Sequence, residues 1–217
     1  MTKKEKETDF TAKRKLLVSE MLAAKTVKSE NVKNAFLSVQ RENFFPEPLK
    51  QFAYADSAFP IGFGQTISQP TTVAMMLEML RPKKGEKILE VGAGSGYALA
   101  LLSRIAGKSG QVFAVEKLEG LCSLAEKNLA AEKITNVKIF HGDGKKGIAK
   151  EAPFDRILVS AACDNVPRAL FEQLKIGGAL VAPVGENESQ NLEFWAKTKA
   201  GPELRDSKGL FVFVPLV

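Results

Sequence analysis

The sequence predicts a doubly wound, mostly parallel α/β sheet with helices added at the N-terminus. Residues 87–97 form an apolar run that breaks into alternate glycines and then regains apolar residues at helical spacing, which is typical of a strand, a tight turn and a helix. Beyond this segment, short apolar runs alternate with helical patterns, as in βαβ units. Residues 10–39, in contrast, have only helical spacing. These three observations favour a Rossmann-like architecture.

The N-terminal section predicts two packing helices between Phe10 and Val39. Residues 41–48 then end the helical pattern with aromatic residues and two prolines. The chain up to Pro70 is rich in glycine, proline and aromatic residues without a clear period, so we expect an irregular segment of about 25 residues. Loops of this length in compact domains are usually functional.

The remaining elements follow in order, beginning with a helix from about Thr71 to Leu80. Strands are expected at 87–91, 111–116 and 156–160, with helices between them. The length of 217 residues suits one domain, with a helical section at about 10–50 and a core at about 51–217. No repeat or low-complexity segment interrupts this organisation.

The glycine turn predicts a nucleotide-like ligand at the edge of the sheet. Gly92, Gly94 and Gly96 would let the backbone approach a ligand closely, and Glu90 at the strand's carboxyl end can accept hydrogen bonds from it. A dinucleotide site is disfavoured, because Tyr97 stands where the third glycine of that fingerprint is required.

A second acidic residue, Glu116, ends the next apolar run. Nucleotide-binding α/β folds place the residue that holds ribose hydroxyls at about this point, so we expect Glu116 to bind a ribose. The alternative is that Glu116 only caps the helix that follows it.

Composition gives further expectations about location and partners. The formal net charge is +6, but many of the basic residues alternate with acidic residues along the chain. This pattern indicates charges that keep the protein soluble rather than a surface that binds nucleic acid. Cys122 and Cys163 lie in a predicted helix and at a strand end, as reduced buried cysteines of a cytoplasmic protein would. With no apolar run of about 18 residues and no export signal, we expect a cytoplasmic monomer without a membrane partner.

The loop Ala58-Phe-Pro-Ile-Gly-Phe-Gly-Gln-Thr-Ile-Ser-Gln-Pro70 resembles the protein-L-isoaspartate O-methyltransferase family of class I S-adenosylmethionine-dependent methyltransferases. The resemblance extends over roughly residues 30 to 217. Its other motifs are Arg41-x-x-Phe44, Tyr54-x-Asp56, Gly142-Asp143-Gly144, Ala152-Pro-Phe-Asp155, Gln173-Leu-x-x-Gly-Gly178, Pro183-Val-Gly185 and Phe213-Val-Pro-Leu216.

This resemblance implies an enzyme that methylates the α-carboxylate of isoaspartyl residues in damaged proteins, which are its partners, and so initiates repair. The cofactor would be S-adenosyl-L-methionine and the product S-adenosyl-L-homocysteine. Ser68 would be the catalytic hydroxyl, and Asp143 would bind the adenine amino group, with an Asp-Gly turn as its alternative. The other implied cofactor contacts are Gln65, Thr66, Ile67, Gln69, Lys117 and Gly144, beside Glu90, the three glycines and Glu116.

The implied chemistry needs neither a base nor a metal. An α-carboxyl group has a pKa near 3.5 and is already ionised at pH 7, so nothing has to be deprotonated. The single histidine, His141, is therefore expected to be structural. Asp164-Asn165 resembles the metal-binding pair of catechol-type methyltransferases, but the preceding strand end lacks the further carboxylate, so no metal site is expected.

Two departures from the family pattern leave alternatives open. Lys145-Lys146 follows Gly144 where the family often has a bulky aromatic residue, and little chain follows Leu216, so we expect a lid that is shorter or comes from another part of the chain. One alternative is a methyltransferase of the same fold that acts on RNA or a small acid. The other is a cofactor-binding module without catalysis.

Overall fold

The computed structural model describes residues 3–186 and 189–216. Helices and a two-stranded hairpin flank a central sheet of seven strands in this part of the chain. The helices are α1 (Lys3–Ala23), α2 (Glu30–Ser38), α3 (Pro70–Leu80), α4 (Tyr97–Ala106), α5 (Glu119–Ala131) and α6 (Arg168–Gln173). The strands are β1 (Phe59–Gly62), β2 (Gln65–Ile67), β3 (Lys87–Val91), β4 (Gln111–Glu116), β5 (Val137–His141), β6 (Phe154–Val159), β7 (Leu174–Val184), β8 (Gln190–Thr198) and β9 (Gly201–Phe211).

The central sheet has the strand order β5-β4-β3-β6-β7-β8-β9. Its first five strands are parallel, while β8 and β9 continue the sheet in antiparallel orientation. The predicted mostly parallel α/β sheet is thereby confirmed. Because the chain leaves β3 towards β4 on one side and later returns to β6 on the other, the carboxyl ends of β3 and β6 flank the crevice where ligands bind in such sheets.

Alternate residues of the strands enter two separate hydrophobic clusters. Ile88 belongs to the cluster that contains residues of α1, α2, α3, α4 and α5, whereas Leu89 belongs to the cluster on the opposite face, which contains Leu170 of α6. This alternation follows from the period of two in a strand, and it covers both faces of the parallel strands.

The predicted N-terminal helices are confirmed, and they cover the helix that follows the glycine turn. Phe36 of α2 makes an edge contact with Tyr97, the first residue of α4, at 6.2 Å between ring centroids. Phe44 contacts the same ring at 5.5 Å. The N-terminal section therefore helps to fix where α4 begins.

The segment before Pro70 is more regular than the sequence predicted. It contains 3-10 turns at Arg41–Phe44 and Glu47–Phe52, followed by an antiparallel hairpin of β1 and β2. Strands of four and three residues are too short to show a period of two, which explains why the hairpin was missed. The hairpin carries the chain directly to Ser68.

The described part of the chain contains no helix that is long and apolar enough to cross a membrane. Among the same residues, no three side chains of His, Cys, Asp or Glu cluster in a way that could hold a metal ion. Cys122 and Cys163 are buried free thiols.

Candidate active site

A cavity that is open to solvent lies at the carboxyl ends of β3, β4 and β6. We call it the inner cavity. Most of the predicted site residues line it, namely Gln65, Thr66, Ile67, Ser68, Glu90, Gly92, Gly94, Glu116, Lys117 and Gly144. The structure thus brings the loop motif and the glycine motif together on opposite walls.

The glycine turn has the backbone conformation that its sequence predicts. Gly92, Gly94 and Gly96 have φ angles of 91°, 53° and 87°, all in the left-handed region that side chains rarely adopt. A Cβ atom on Gly96 would also lie 3.2 Å from the Cβ of Ala125 in α5. Glycine is therefore required both for the turn and for close packing of α4 on α5.

Glu90 is a buried acid with one free oxygen. Its side chain is 1% exposed, and its Oε1 accepts a hydrogen bond from Ser160 Oγ at 2.6 Å. Its Oε2 is buried and has no hydrogen-bond partner in the described part of the chain. Burial raises the pKa of Glu90 to about 8, opposed by the Ser160 bond and reinforced by Glu116. A ligand that donates a hydrogen bond would satisfy the free oxygen.

Glu116 is held by two backbone groups. Its Oε2 accepts from the N–H of Gly94 at 3.1 Å, and its Oε1 accepts from the N–H of Leu118 at 3.0 Å. The second bond comes from Leu118, the residue just before α5, and not from an N–H of the helix, so it forms a local turn rather than the helix cap that the alternative interpretation expected. Because each carboxylate oxygen has two acceptor sites, both oxygens can still accept from ligand hydroxyls.

Two side chains from distant parts of the sequence hold the Ser68 segment. Arg41 Nη2 donates to the carbonyl oxygen of Ser68 at 2.8 Å, and its Nε donates to that of Ala53 at 2.8 Å. On the other side of Ser68, Asp56 Oδ2 accepts from Gln69 Nε2 at 3.0 Å. Asp56 also accepts from the Thr71 N–H at 2.9 Å. The only indication of these two residues in the sequence was their place in the family motifs.

Arg41 is a fully buried cation. It is 0% exposed, and its guanidinium carbon lies 4.5 Å from the centroid of the Tyr97 ring and 5.2 Å from that of Phe45. Burial lowers its pKa. Since Tyr97 lines the inner cavity, Arg41 connects the start of α4 with the backbone of Ser68.

A second cavity adjoins the first, and we call it the outer cavity. It lies between the segment from Ser68 to Thr72 and the chain at 210–214. Four residues line both cavities, namely Thr66, Ser68, Ser160 and Val214. Within the described residues, Ser68 Oγ makes no hydrogen bond, whereas Ser160 Oγ is bonded to Glu90. Ser68 thus offers an available hydroxyl where the cavities meet.

The C-terminal segment closes the inner cavity, a role that the sequence analysis did not predict. Val214, Pro215 and Leu216 line it, and Leu216 N–H donates to the carbonyl oxygen of Ala162 at 2.7 Å. A Cβ on Gly144 would lie 2.7 Å from Val91 and 3.1 Å from Leu216. The family motif at 213–216 was the signal in the sequence that could have indicated this role, but none of its side chains is reactive.

Three predicted cofactor contacts lie outside the inner-cavity lining. Gln69 lines the outer cavity, and Gly96 begins α4. Asp143 Oδ1 accepts a hydrogen bond from the Lys145 N–H at 2.9 Å. This oxygen therefore takes part in a turn, which was the alternative to an adenine contact. The ring Nε2 of His141 lies 3.0 Å from the Lys117 carbonyl oxygen, to which it must donate, in line with the structural role expected for it.

Comparison with known proteins gives one consistent result. The family model described as protein-L-isoaspartate(D-aspartate) O-methyltransferase matches residues 12–217. A protein-L-isoaspartate O-methyltransferase of Methanopyrus kandleri is 44% identical over 209 residues, which are 96% of this chain and 92% of the relative. One from Methanosarcina mazei is 44% identical over 215 residues, covering 99% of this chain and 87% of the relative.

Solved structures agree with the sequence relatives. A Plasmodium falciparum protein-L-isoaspartate O-methyltransferase in complex with S-adenosyl-L-homocysteine superimposes with a TM-score of 0.82 at 27% identity, covering 94% of this chain and 98% of that one. A second protein-L-isoaspartate O-methyltransferase gives a TM-score of 0.80 at 30% identity, covering 92% of this chain. This chain spans 65% of that longer protein.

Proposed function

Because this chain belongs to the protein-L-isoaspartate(D-aspartate) O-methyltransferase family, we propose that its inner cavity binds S-adenosylmethionine and its outer cavity binds the isoaspartyl segment. The family gives the activity, which is methylation of isoaspartyl residues in proteins with S-adenosylmethionine as the donor. It selects this activity over the RNA or small-acid alternative. The single observation that carries the assignment of the cavities is that Ser68 lines both.

The residues of the inner cavity fit this cofactor. Glu90 Oε2 is buried and has no hydrogen-bond partner among the residues that the structure describes, and the cofactor's amino group can donate to it. Glu116 retains acceptor sites for ribose hydroxyls, and the two acids together favour a ligand that carries positive charge. The glycine turn leaves room for the methionine part. When bound, S-adenosylmethionine supplies a methyl group activated by its sulfonium.

Asp143 remains our proposed adenine contact, although its Oδ1 is engaged with the Lys145 N–H. Within the described residues, Oδ2 makes no hydrogen bond and can accept from an amino group. The neighbouring Gly144 forms part of the inner-cavity wall, which brings the backbone of this turn close to the ligand.

Ser68 acts on the acceptor by holding it. At pH 7 the isoaspartyl carboxylate is ionised and needs no base, so the enzyme's contribution is alignment of the attacking oxygen. Such alignment can supply about 7 to 11 kcal/mol in well-oriented reactions. Because the Ser68 hydroxyl makes no hydrogen bond to the described part of the chain, it is suited to donate to one carboxylate oxygen and leave the other oxygen to react.

The outer cavity suits a peptide rather than a small acid. One wall carries the polar side chains of Ser68, Gln69, Thr71 and Thr72. The opposite wall is the chain at 210–214, where Leu210 and Val212 are 83% and 77% exposed. Polar groups for a peptide backbone and exposed apolar groups for its side chains favour an extended segment of protein.

We further propose that the protein works as a monomer in the cytoplasm. One chain supplies both walls of the inner cavity, so no second copy is needed to complete it. Burial raises the pKa of Cys163 to about 11, and both cysteines are buried, which suits thiols that stay reduced. Light scattering of the purified protein checks the oligomeric state.

The decisive test of the function is transfer of a labelled methyl group from S-adenosylmethionine to a synthetic isoaspartyl peptide. The control is the same peptide with a normal aspartyl residue, and the product is scored as base-labile ester. We expect label on the isoaspartyl peptide only. Binding of S-adenosylhomocysteine without label on either peptide would instead identify a module that binds the cofactor and does not catalyse.

A further inference from the structure

Ser160 is fixed at the point where the two cavities meet. Its backbone N–H donates to the carbonyl oxygen of Val91 at 2.8 Å, which ties the end of β6 to the end of β3. Its Oγ donates to Glu90 Oε1 at 2.6 Å, within the range of strong hydrogen bonds to a carboxylate. Unlike Ser68, Ser160 therefore has its hydroxyl proton engaged inside the protein.

We propose that Ser160 is a positioning residue for cofactor binding, whose hydroxyl holds the Glu90 carboxylate through Oε1 so that Oε2 remains for the cofactor's amino group. This inference rests on the proposed cofactor site. Glu90 has no other hydrogen-bond donor among the described residues, so without Ser160 both of its oxygens would be buried and unpaired. Such a carboxyl group would lose its orientation and would favour its neutral form.

The charge of Glu90 depends on the groups that face it. From β4, the like charge of Glu116 disfavours ionisation of Glu90, and burial acts in the same direction. From β6, the Ser160 hydroxyl opposes both, since a donated hydrogen bond favours the carboxylate. Removing the hydroxyl should therefore raise the pKa of Glu90 further. More work would then be needed to ionise Glu90 before it could accept from a cationic amino group.

The test measures the dissociation constant of S-adenosylhomocysteine by calorimetry between pH 6.5 and 9.5 for wild type and Ser160→Ala. Loss of one hydrogen bond to a carboxylate corresponds to a pKa rise of about one unit, so we expect about tenfold weaker binding at pH 6.5. The ratio of the two constants should fall towards one at pH 9.5, where Glu90 is ionised in both proteins. Titration of the ligand itself cancels in this ratio.

Two matched variants separate positioning from a packing effect. Ser160→Thr keeps the hydroxyl and should restore the wild-type pH profile. Ser95→Ala removes another hydroxyl of the inner cavity that is not bonded to Glu90, so any change in affinity should be independent of pH. A ratio for Ser160→Ala that is the same at every pH, or equal to one throughout, would overturn the proposal.

The same proteins distinguish this inference from the proposed function. If wild type binds S-adenosylhomocysteine with the expected pH dependence but does not esterify the isoaspartyl peptide, the proposed function is wrong and the role of Ser160 stands. If wild type esterifies the peptide while the ratio stays flat, the role of Ser160 is wrong. Failure of wild type to bind the ligand would overturn both.

Discussion

The two walls of the inner cavity are held in place by different kinds of contact. The strand-edge wall, formed by Glu90, residues 92–95 and Glu116, is tied by backbone bonds between neighbouring strands, such as Gly92 N–H to the Val115 carbonyl oxygen at 2.9 Å. The loop wall, residues 65–68, has backbone pairing only through the short strand β2, and beyond that strand it depends on side chains from other parts of the chain. Arg41 holds the end of this wall, and Asp56 holds the residue that follows it.

This difference predicts where single substitutions act. The position of a wall that is held by sheet backbone depends on many hydrogen bonds. It should therefore change only when a residue of the glycine turn or one of the two acidic residues is substituted. A wall that depends on a few side chains should move when one of them is removed, and a displacement of about 1 Å can cost about 100-fold in rate. Substitutions that disturb the loop wall should therefore lower kcat, and substitutions that disturb the strand-edge wall should lower the affinity for the cofactor.

The largest expected effect is that of Arg41→Met, which removes both bonds of the buried guanidinium. We expect kcat to fall about 100-fold, because the Ser68 backbone loses the donor that positions it. The free energy of unfolding should fall by about 2 kcal/mol or more, since two carbonyl oxygens lose their partner. Methyl transfer at saturating cofactor and chemical denaturation measure the two effects.

Arg104→Met is the matched control for this variant. Arg104 also donates to a backbone carbonyl, that of Glu132 at 3.0 Å, but it lines neither cavity. It should keep kcat within about twofold of wild type. Equal losses of kcat in the two variants would mean that Arg41 supports general stability and not the loop wall.

A smaller effect is expected for Gly96→Ala, directly after the strand-edge wall. Alanine would be strained at a φ of 87° and would press on Ala125, so affinity for S-adenosylhomocysteine should fall about tenfold. Gly177→Ala is the control, because Gly177 has a similar φ of 83° and nothing within 4 Å of its added Cβ. It should lose about 1 kcal/mol of stability without any change in affinity.

The sequence predicted the strand-edge wall well because local patterns encode it. An apolar run, alternate glycines and terminal acids specify a strand, a turn and their ligand-facing side chains without reference to distant residues. The structure confirms the sheet and brings Glu90, Gly92, Gly94 and Glu116 together. The roles of these residues as cofactor ligands stay predictions.

The loop wall could be predicted only in part. The family resemblance pointed to Ser68. Arg41 and Asp56, in contrast, act through tertiary contacts, which no periodic pattern in the local sequence indicates. The hairpin of β1 and β2 was missed because its strands are so short. The contribution of residues 214–216 to the cavity lining was not predicted, because these residues are apolar, carry no reactive group and act only by filling space. For Asp143, the local sequence alone does not distinguish a turn hydrogen bond from a ligand contact, because the motif Gly142-Asp143-Gly144 is compatible with both.

A separate prediction concerns how the stability of the ligand-free protein depends on pH. Burial raises the pKa of Glu90 from 4.5 to about 8, so between these values the native state holds a proton that the unfolded state has lost. Stability should therefore fall as pH rises through this window. In Glu90→Gln this contribution is absent. Melting temperatures from pH 5 to 8 should show wild type falling relative to Glu90→Gln, and parallel curves would contradict the assigned environment of Glu90.

The central claim, that the two walls divide chemistry from cofactor binding, is tested most directly by measuring kcat for isoaspartyl peptide methylation and the dissociation constant of S-adenosylhomocysteine in Ser68→Ala and Glu116→Ala. For Ser68→Ala we expect kcat to fall about tenfold or more while the dissociation constant stays within about twofold. For Glu116→Ala the dissociation constant should rise about tenfold, with a smaller change in kcat at saturating cofactor. Equal losses of turnover and affinity in Ser68→Ala would contradict the account.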